Sequence, residues 1–413
     1  MAVNLLTPIL STRTRSINFF NGRLLAGEDL TTEQQTNRVA HTLLGKAIGG
    51  GVVYGLEVAE SKQSSTPAAP VLAITQGLAF NNTGAALLLD NDTEVGLVRP
   101  AIGSTGTVAN IFEDCKPAES GPYIAGAGVY LLTVGPANVS QGLAEVSGTG
   151  TTQASCNSKY NVQGVQFRLV AVDAKLIGLL DFNDVARLRN YVAYQCFGVA
   201  DWNNWGHAPF DMPGNQFGAV DALRSRQLLT DCEVPLAVLF WTADGLQFVD
   251  MWAVRRRVAR PAATQDWPLF VGDRRASEGE AMFLQFQDQL ESIRDTEPNL
   301  PALHAGDRFV YLPPVGLLPL YGVGGAPGFD LATFFSGQSY HDPVFIEAPR
   351  VQPIVRTAFS YAPVNLVNRE AVRIYEIVDR GNVLPYFIFT SIFVPFEAEA
   401  RYDVSAWNFS NFL

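Results

Sequence analysis

Hydrophobic positions along this chain change period several times, and the changes outline its elements. Arg15 to Leu25, "RSINFFNGRLL", reads as an extended lead-in with a turn at Asn21-Gly22. A helical period follows: Val39, Leu43 and Ala47 recur, with Ala40 and Leu44 beside them. Thr31 with Gln34 three residues on predicts a capping box, and Asp29 and Glu33 place negative charge near the positive end of the helix dipole. Gly49 to Gly51 end that helix, because glycine enters left-handed conformations without a Cβ penalty.

Beyond the glycines the period shortens to that of strands. "GVVYGLEVA" is β-branched and apolar, "SKQSSTPAAP" is a loop, and "VLAITQGLAF-NNTG-AALLLD" is a hairpin pattern. "GVYLLTV" (128–134) and "VQGVQFRLVAV" (162–172) are further strands. Between Leu97 and Val162 Gly, Ser, Thr and Ala dominate, which predicts a long surface-loop insertion near 97–162. Asn183 to Tyr194 is a predicted helix with Val185, Leu188 and Val192 on one face. "VPLAVLFWTADGLQFVDMWAV" is a strand pair turning at Ala243-Asp244-Gly245. Ser277 with Glu280 opens a second predicted capped helix, striped by Phe283, Phe286, Leu290 and Ile293. "DTEPNLPALHAGD" reads as a linker, and from Arg308 onward the chain is proline-punctuated and β-rich.

The expected fold is therefore α+β and β-dominated. A β-rich scaffold with a few helices occupies 1–270, a capped helix and linker 271–304, and a C-terminal β domain 305–413.

Composition narrows the function. Of 413 residues, 47% are hydrophobic and only 17% charged, below the usual charged share of roughly 25%. A low charged fraction fits a surface covered within an assembly, or a large core with uncharged polar loops. The net charge of −11 makes nucleic acid and anionic membranes poor partners. The one basic run, Arg255-Arg256-Arg257 with Arg260 behind it, reads as a salt-bridging strand end in preference to an anion site. No run approaches the 18 or so apolar residues of a membrane span, and the first residues lack a secretory pattern, so synthesis and assembly in the cytoplasm are expected.

Searches for chemistry end without a site. Gly45-Lys46 lacks the upstream Gly and downstream Ser or Thr of a phosphate loop, and Tyr54 stands where a dinucleotide fingerprint needs Gly. Asp90, Asp92 and Glu94 begin a calcium-loop pattern, but Val95 occupies the obligatory glycine position, leaving a polar hairpin end. His41, His207, His304 and His341 show no metal-ligand spacing, and no nucleophile elbow occurs. Cys115, Cys156, Cys196 and Cys232 form no CxxC pair; Cys196 reads as a small buried hydrophobe, and Cys115 and Cys156 could pair. His207 with Asp201 and Asp211, beside Trp202 and Trp205, is the densest polar-aromatic cluster, better read as a packed loop than as a general-base site. No catalytic, cofactor or metal residue is assigned, and no cofactor is expected. Trp202, Asn203 and Trp205 are the candidate contacts of an alternative function, glycan recognition, which uses aromatic faces and amides.

Several segments together resemble a known pattern. They are "NFFNGRLLAGEDLTTEQQTNRVAHTLLGKAIGGGVVYGLEV", "GLAFNNTGAALLL", "CEVPLAVLFWTADGLQFVDMWAVRRRV", "RFVYLPPVGLLPL", "FDLATFF" and "EARYDVSAWNFSNF". The pattern is similar to that of structural, baseplate-associated proteins of phage-tail-like contractile injection systems. The Gly-Gly-Gly at 49–51 stands where that pattern more often carries a bulkier aromatic residue. The resemblance implies a non-enzymatic, oligomeric assembly component that contacts other subunits of a particle, and it brings no catalytic residues. Such a particle would be released or act at a membrane. The alternative on the same particle is a glycan-binding module.

Overall fold

The computed structural model describes residues 16–97, 128–145, 156–173, 184–199, 218–259, 273–325, 327–340, 342–392 and 394. Among them the fold is α+β and β-rich, with five small sheets. Trp202, Asn203, Trp205, His207, Asp201, Asp211, Arg260, His341, Cys115 and the closing "EARYDVSAWNFSNF" lie outside the described residues.

The chain opens with α1 (Gly27–Ile48), followed by β1 (Gly51–Gly55), β2 (Val58–Glu60), β3 (Val71–Ile74), β4 (Gly77–Phe80), β5 (Ala86–Leu89) and β6 (Thr93–Gly96). The expected Thr31–Gln34 box does not start the helix. It starts four residues earlier, where the Asp29 carboxylate accepts the Ala26 N–H at 3.0 Å. Thr31 lies inside the first turn and donates to the Gly27 carbonyl at 2.9 Å. A carboxylate at the third helical position outcompetes a later Thr because it both caps and faces the dipole. The glycine stop holds: Gly49, with φ of 102°, donates to the Gly45 carbonyl at 3.0 Å. The long hairpin pattern divides between two sheets. β4 and β5 pair in the order β1-β4-β5, whereas β3 turns away at Thr75-Gln76 into the order β2-β3-β6.

Next come β7 (Gly128–Glu145) and β8 (Cys156–Val172), then α2 (Val185–Cys196), α3 (Gly218–Ser225), β9 (Val234–Thr242) and β10 (Gly245–Asp250). The expected loop insertion is corrected here. β7 and β8 are paired continuously from Val129↔Val172 to Glu145↔Cys156, so much of 134–162 is a two-stranded ribbon. Its outer part has no core to face, which is why it lacks an apolar alternation and reads as loop. The predicted β9–β10 hairpin is present, turning at Ala243-Asp244.

The sheet β10-β9-β7-β8 is covered on both sides. Tyr130, Leu132, Val134, Leu236, Leu239 and Trp241 pack under the two small N-terminal sheets. Val129, Leu131, Val238 and Phe240 face the helices α2 and α3. Period-2 alternation of apolar side chains on both faces is what a buried central sheet requires.

α4 (Arg274–Thr296) leads into α5 (Ala305–Arg308), β11 (Tyr311–Leu312), β12 (Val315–Pro319), α6 (Leu331–Phe334), β13 (Val344–Glu347), α7 (Val351–Ala358), β14 (Val364–Asn365), β15 (Arg373–Asp379) and β16 (Asn382–Thr390). The last large sheet runs β12-β16-β15-β13, with β13 parallel to β15. α4 sits against one face through Phe286, Leu290 and Ile293, and α7 against the other through Ile354 and Ala358. The same α4 contributes Ala281 and Met282 to the core of the preceding sheet. Ser277 does not cap α4, because the helix already begins at Arg274 and buries Ser277. The expected linker is a packed segment: Leu300 and Leu303 are buried beside Phe286, which a solvent-exposed linker would not allow. Cys196 is free and buried as expected, and Cys232 is disulfide-bonded.

The α1–β1 joint has little room for side chains. A Cβ on Gly51, whose φ is 139°, would lie 2.7 Å from the Arg257 carbonyl oxygen. Gly51→Ala should therefore destabilise the fold by about 1–3 kcal/mol, through strain and overpacking together. Chemical denaturation reads this as a lower midpoint with unchanged slope.

Candidate interaction surface

Two projections leave the body at one corner. α1 meets the body at its last turns, where a Cβ on Gly45 would lie 2.1 Å from the Gly84 carbonyl oxygen in the β4–β5 turn. That turn is tied to the start of β9: Asn82 N–H donates to the Asp231 carbonyl at 3.0 Å and the Asn81 amide to the Cys232 carbonyl at 3.1 Å. Gly135, where the ribbon begins to leave the sheet, lies against Glu233 and Cys232. Helix and ribbon thus share one root.

α1 spans 22 residues, about 33 Å at 1.5 Å per residue. Gly45 is its one buried residue. The lead-in braces its first turns: Ile17 N–H donates to Glu33 at 3.1 Å, and Arg23 pairs with Asp29 at 2.8 Å. The Ala26 N–H, and after it Arg23, hold the Asp29 carboxyl below its usual range although the group is exposed. Even so, Leu24 is 94% exposed, Leu44 64% and Phe20 62%, and Phe19, Leu25, Leu30, Leu43 and Ile48 are exposed with them. Beside the root, the outer face of the β1-β4-β5 sheet carries a row of cross-strand partners, Tyr54–Leu78–Leu88, whose two ends are exposed. Val139, Tyr160 and Val162 are exposed on the ribbon. Contiguous exposed apolar groups of this kind mark interaction surfaces.

The body, by contrast, turns its charges inward. Arg168 binds Glu233 through Nε and Nη2, both at 2.6 Å, at the ribbon root. Glu233 also accepts from Thr133 and from the Thr230 N–H and hydroxyl, each at 3.0 Å. Burial acts to raise the Glu233 pKa, but the Arg168 and Thr230 hydrogen bonds outweigh it and the net shift is downward. On α4, Arg274 pairs with Asp221 at 2.7 Å and with Glu278 at 2.9 Å. Burial raises the Glu278 pKa against the pull of Arg274 and Arg256.

The basic run is corrected in part. Only Arg257 makes a salt bridge, to Glu280. Arg255 donates to the carbonyls of Gly55 and Leu56, two residues with φ of 58° and 55°, and so clamps a left-handed turn almost 200 residues away. The Arg256 guanidinium lies 4.6 Å from the Phe197 ring centroid and donates to the Trp252 and Ala253 carbonyls. Burial brings its pKa down to about 10. Arginine suits such sites because several donors share one delocalised charge.

The polar hairpin end is as expected. Glu94 accepts from the hydroxyls of Ser61 and Ser64, each at 2.7 Å, and Asp92 accepts the Gln76 N–H at 2.7 Å. His41 lies on the exposed side of α1 and His304 precedes α5, far from one another in sequence and on different elements. No group of three His, Cys, Asp or Glu able to hold a metal occurs among the described residues. Among those residues, no helix is long and apolar enough to cross a membrane. The surface that emerges was missed in the sequence because α1 has a helical apolar period, which ordinarily means core.

Glu233 sets a pH dependence. Its folded pKa lies below the ordinary 4.5, so its stabilisation is present above that value and is lost as pH falls below it. Glu233→Gln should lower stability near pH 7 and flatten its acid dependence below about pH 4.5, as read from denaturation midpoints across pH. No protein-family model matches the chain, and none of the curated proteins compared with it matches either.

Proposed function

We propose that this chain is a non-enzymatic structural component of a phage-tail-like contractile injection system, placed in or around the baseplate. The observation that carries this reading is the pair of projections. A 22-residue helix and a β-ribbon stand off a packed body from one root, bearing large apolar side chains in solvent. Burying one such side chain contributes roughly 1.5–3 kcal/mol, so several of them together can hold a stable contact with another subunit. The segment that resembles the assembly family most continuously is the one that forms the lead-in, α1 and β1.

The interior supports the same role. Its buried cations bind backbone carbonyls and neighbouring carboxylates, which rigidifies the body instead of opening a reactive cleft. A subunit that transmits force or holds position in a particle needs such stiffness. The glycan-recognition alternative rests on Trp202, Asn203 and Trp205, and no described contact adds to it.

Gradient sedimentation of tail-like particles from cells that make this protein tests the proposal. A tagged chain should travel with sheath and tube and be visible at the particle end by labelled electron microscopy. A chain that stays at the top of the gradient while intact particles sediment without it would overturn the reading.

A further inference from the structure

α1 divides into two faces. Thr32, Glu33, Thr36, Val39, Thr42, Gly45 and Gly49 are half-buried or buried along one of them. On the other, Leu30, Gln34, Asn37, His41, Leu44 and Ile48 are all exposed. Their spacing alternates between four and three residues, the period that keeps a seam facing a second helix. Leucine and isoleucine occupy its ends and polar residues its middle.

Charge along α1 is asymmetric as well. Glu28, Asp29 and Glu33 lie in its first half, and Arg38, His41 and Lys46 in its second. A parallel pairing of two copies would set acid against acid and base against base. An antiparallel pairing sets each acidic half against the other copy's basic half. It also stacks Leu30 on Ile48, Gln34 on Leu44 and Asn37 on His41, so apolar layers close both ends around a hydrogen-bonding centre.

We propose that α1 is a self-complementary interface: it pairs antiparallel with α1 of a second copy of this chain, along the seam Leu30–Gln34–Asn37–His41–Leu44–Ile48. This deepens the reading of the chain as an assembly subunit and rests on it for biological context. The pairing is isologous, the closed arrangement of a two-fold dimer, in which one patch meets itself. It also brings each copy's lead-in, with Phe19, Phe20 and Leu24, to the other copy's body end. There Val53, Tyr54 and Leu88 stand exposed, one strand beyond Ile48.

Sedimentation of the full chain over a range of concentrations and salt is the first measurement. The wild type should form a dimer or an even multiple of one, weakening as salt screens the opposed charges. Leu44→Glu should weaken association at least about ten-fold, as expected for a central apolar contact. Glu28→Lys with Glu33→Lys makes one helix wholly basic, and Arg38→Glu with Lys46→Glu makes another wholly acidic. Each should be monomeric alone and the two should pair on mixing. Orientation is read by oxidative cross-linking: an Asn37→Cys chain should link to a His41→Cys chain more readily than to itself. A wild type that stays monomeric, with α1 covered by another segment of its own chain, overturns the proposal. So does association that none of these substitutions changes. If particles still carry the chain in that case, the assembly reading stands and this interface falls. If the dimer forms through α1 but never joins particles, the interface stands and the particle reading falls.

Discussion

The interaction on which the rest of the fold depends is a buried cation. Arg189 on α2 donates to Asp250 at the end of β10 at 2.8 Å, and its other arm binds Asp288 on α4. Asp250 accepts further from Gln285 on α4 at 3.0 Å and from the Ala253 N–H at 3.0 Å. Burial alone would lower the arginine's pKa, but the two carboxylates reverse that and raise it. A charge in such surroundings is tolerated only when all its partners are in place, and removing one partner commonly costs about 3–5 kcal/mol. Helix α2, strand β10 and helix α4 therefore assemble together or not at all.

Fixing α4 has consequences beyond that network. Ala281 and Met282 belong to the core between the central sheet and α2–α3, while Phe286, Leu290 and Ile293 belong to the core of the C-terminal sheet. Gln289 bridges the same halves, donating to the carbonyls of Ala186 and Arg308. Asn190, on the neighbouring helix, accepts from the N–H groups of Val310 and Tyr311. Polar groups that satisfy one another across a boundary set the geometry of that boundary more sharply than apolar contact alone, since a misplaced partner leaves a buried orphan. The body is stiff for this reason, and the corner that carries α1 and the ribbon is held to it by the Glu233 and Asn81–Asn82 contacts.

Helix and ribbon stand in the opposite energetic situation. α1 is capped and braced, yet its apolar side chains gain little from folding in this chain. An isolated helix of this length is marginal in water, so its stability in a working state depends on what it packs against. The contrast between a saturated interior and an unsatisfied projection is the physical basis for reading the protein as a building block.

The sequence by itself determined the local elements whose signals are covalent or periodic. The glycine stop at Gly49–Gly51, the β9–β10 turn, the α2 face of Leu188 and Val192 and the apolar stripe of α4 all follow from backbone freedom and side-chain period. They needed no knowledge of neighbours. Tertiary structure decided everything that depends on what lies opposite. Whether the α1 stripe is buried, whether Arg255 meets a carboxylate or a carbonyl, and whether Leu300 and Leu303 join a core are questions of long-range contact. The ribbon beyond Gly135 escaped detection because strands with water on both faces carry no alternation to read. Thr31 misled because capping is a competition, and only the folded chain shows that Asp29 wins it.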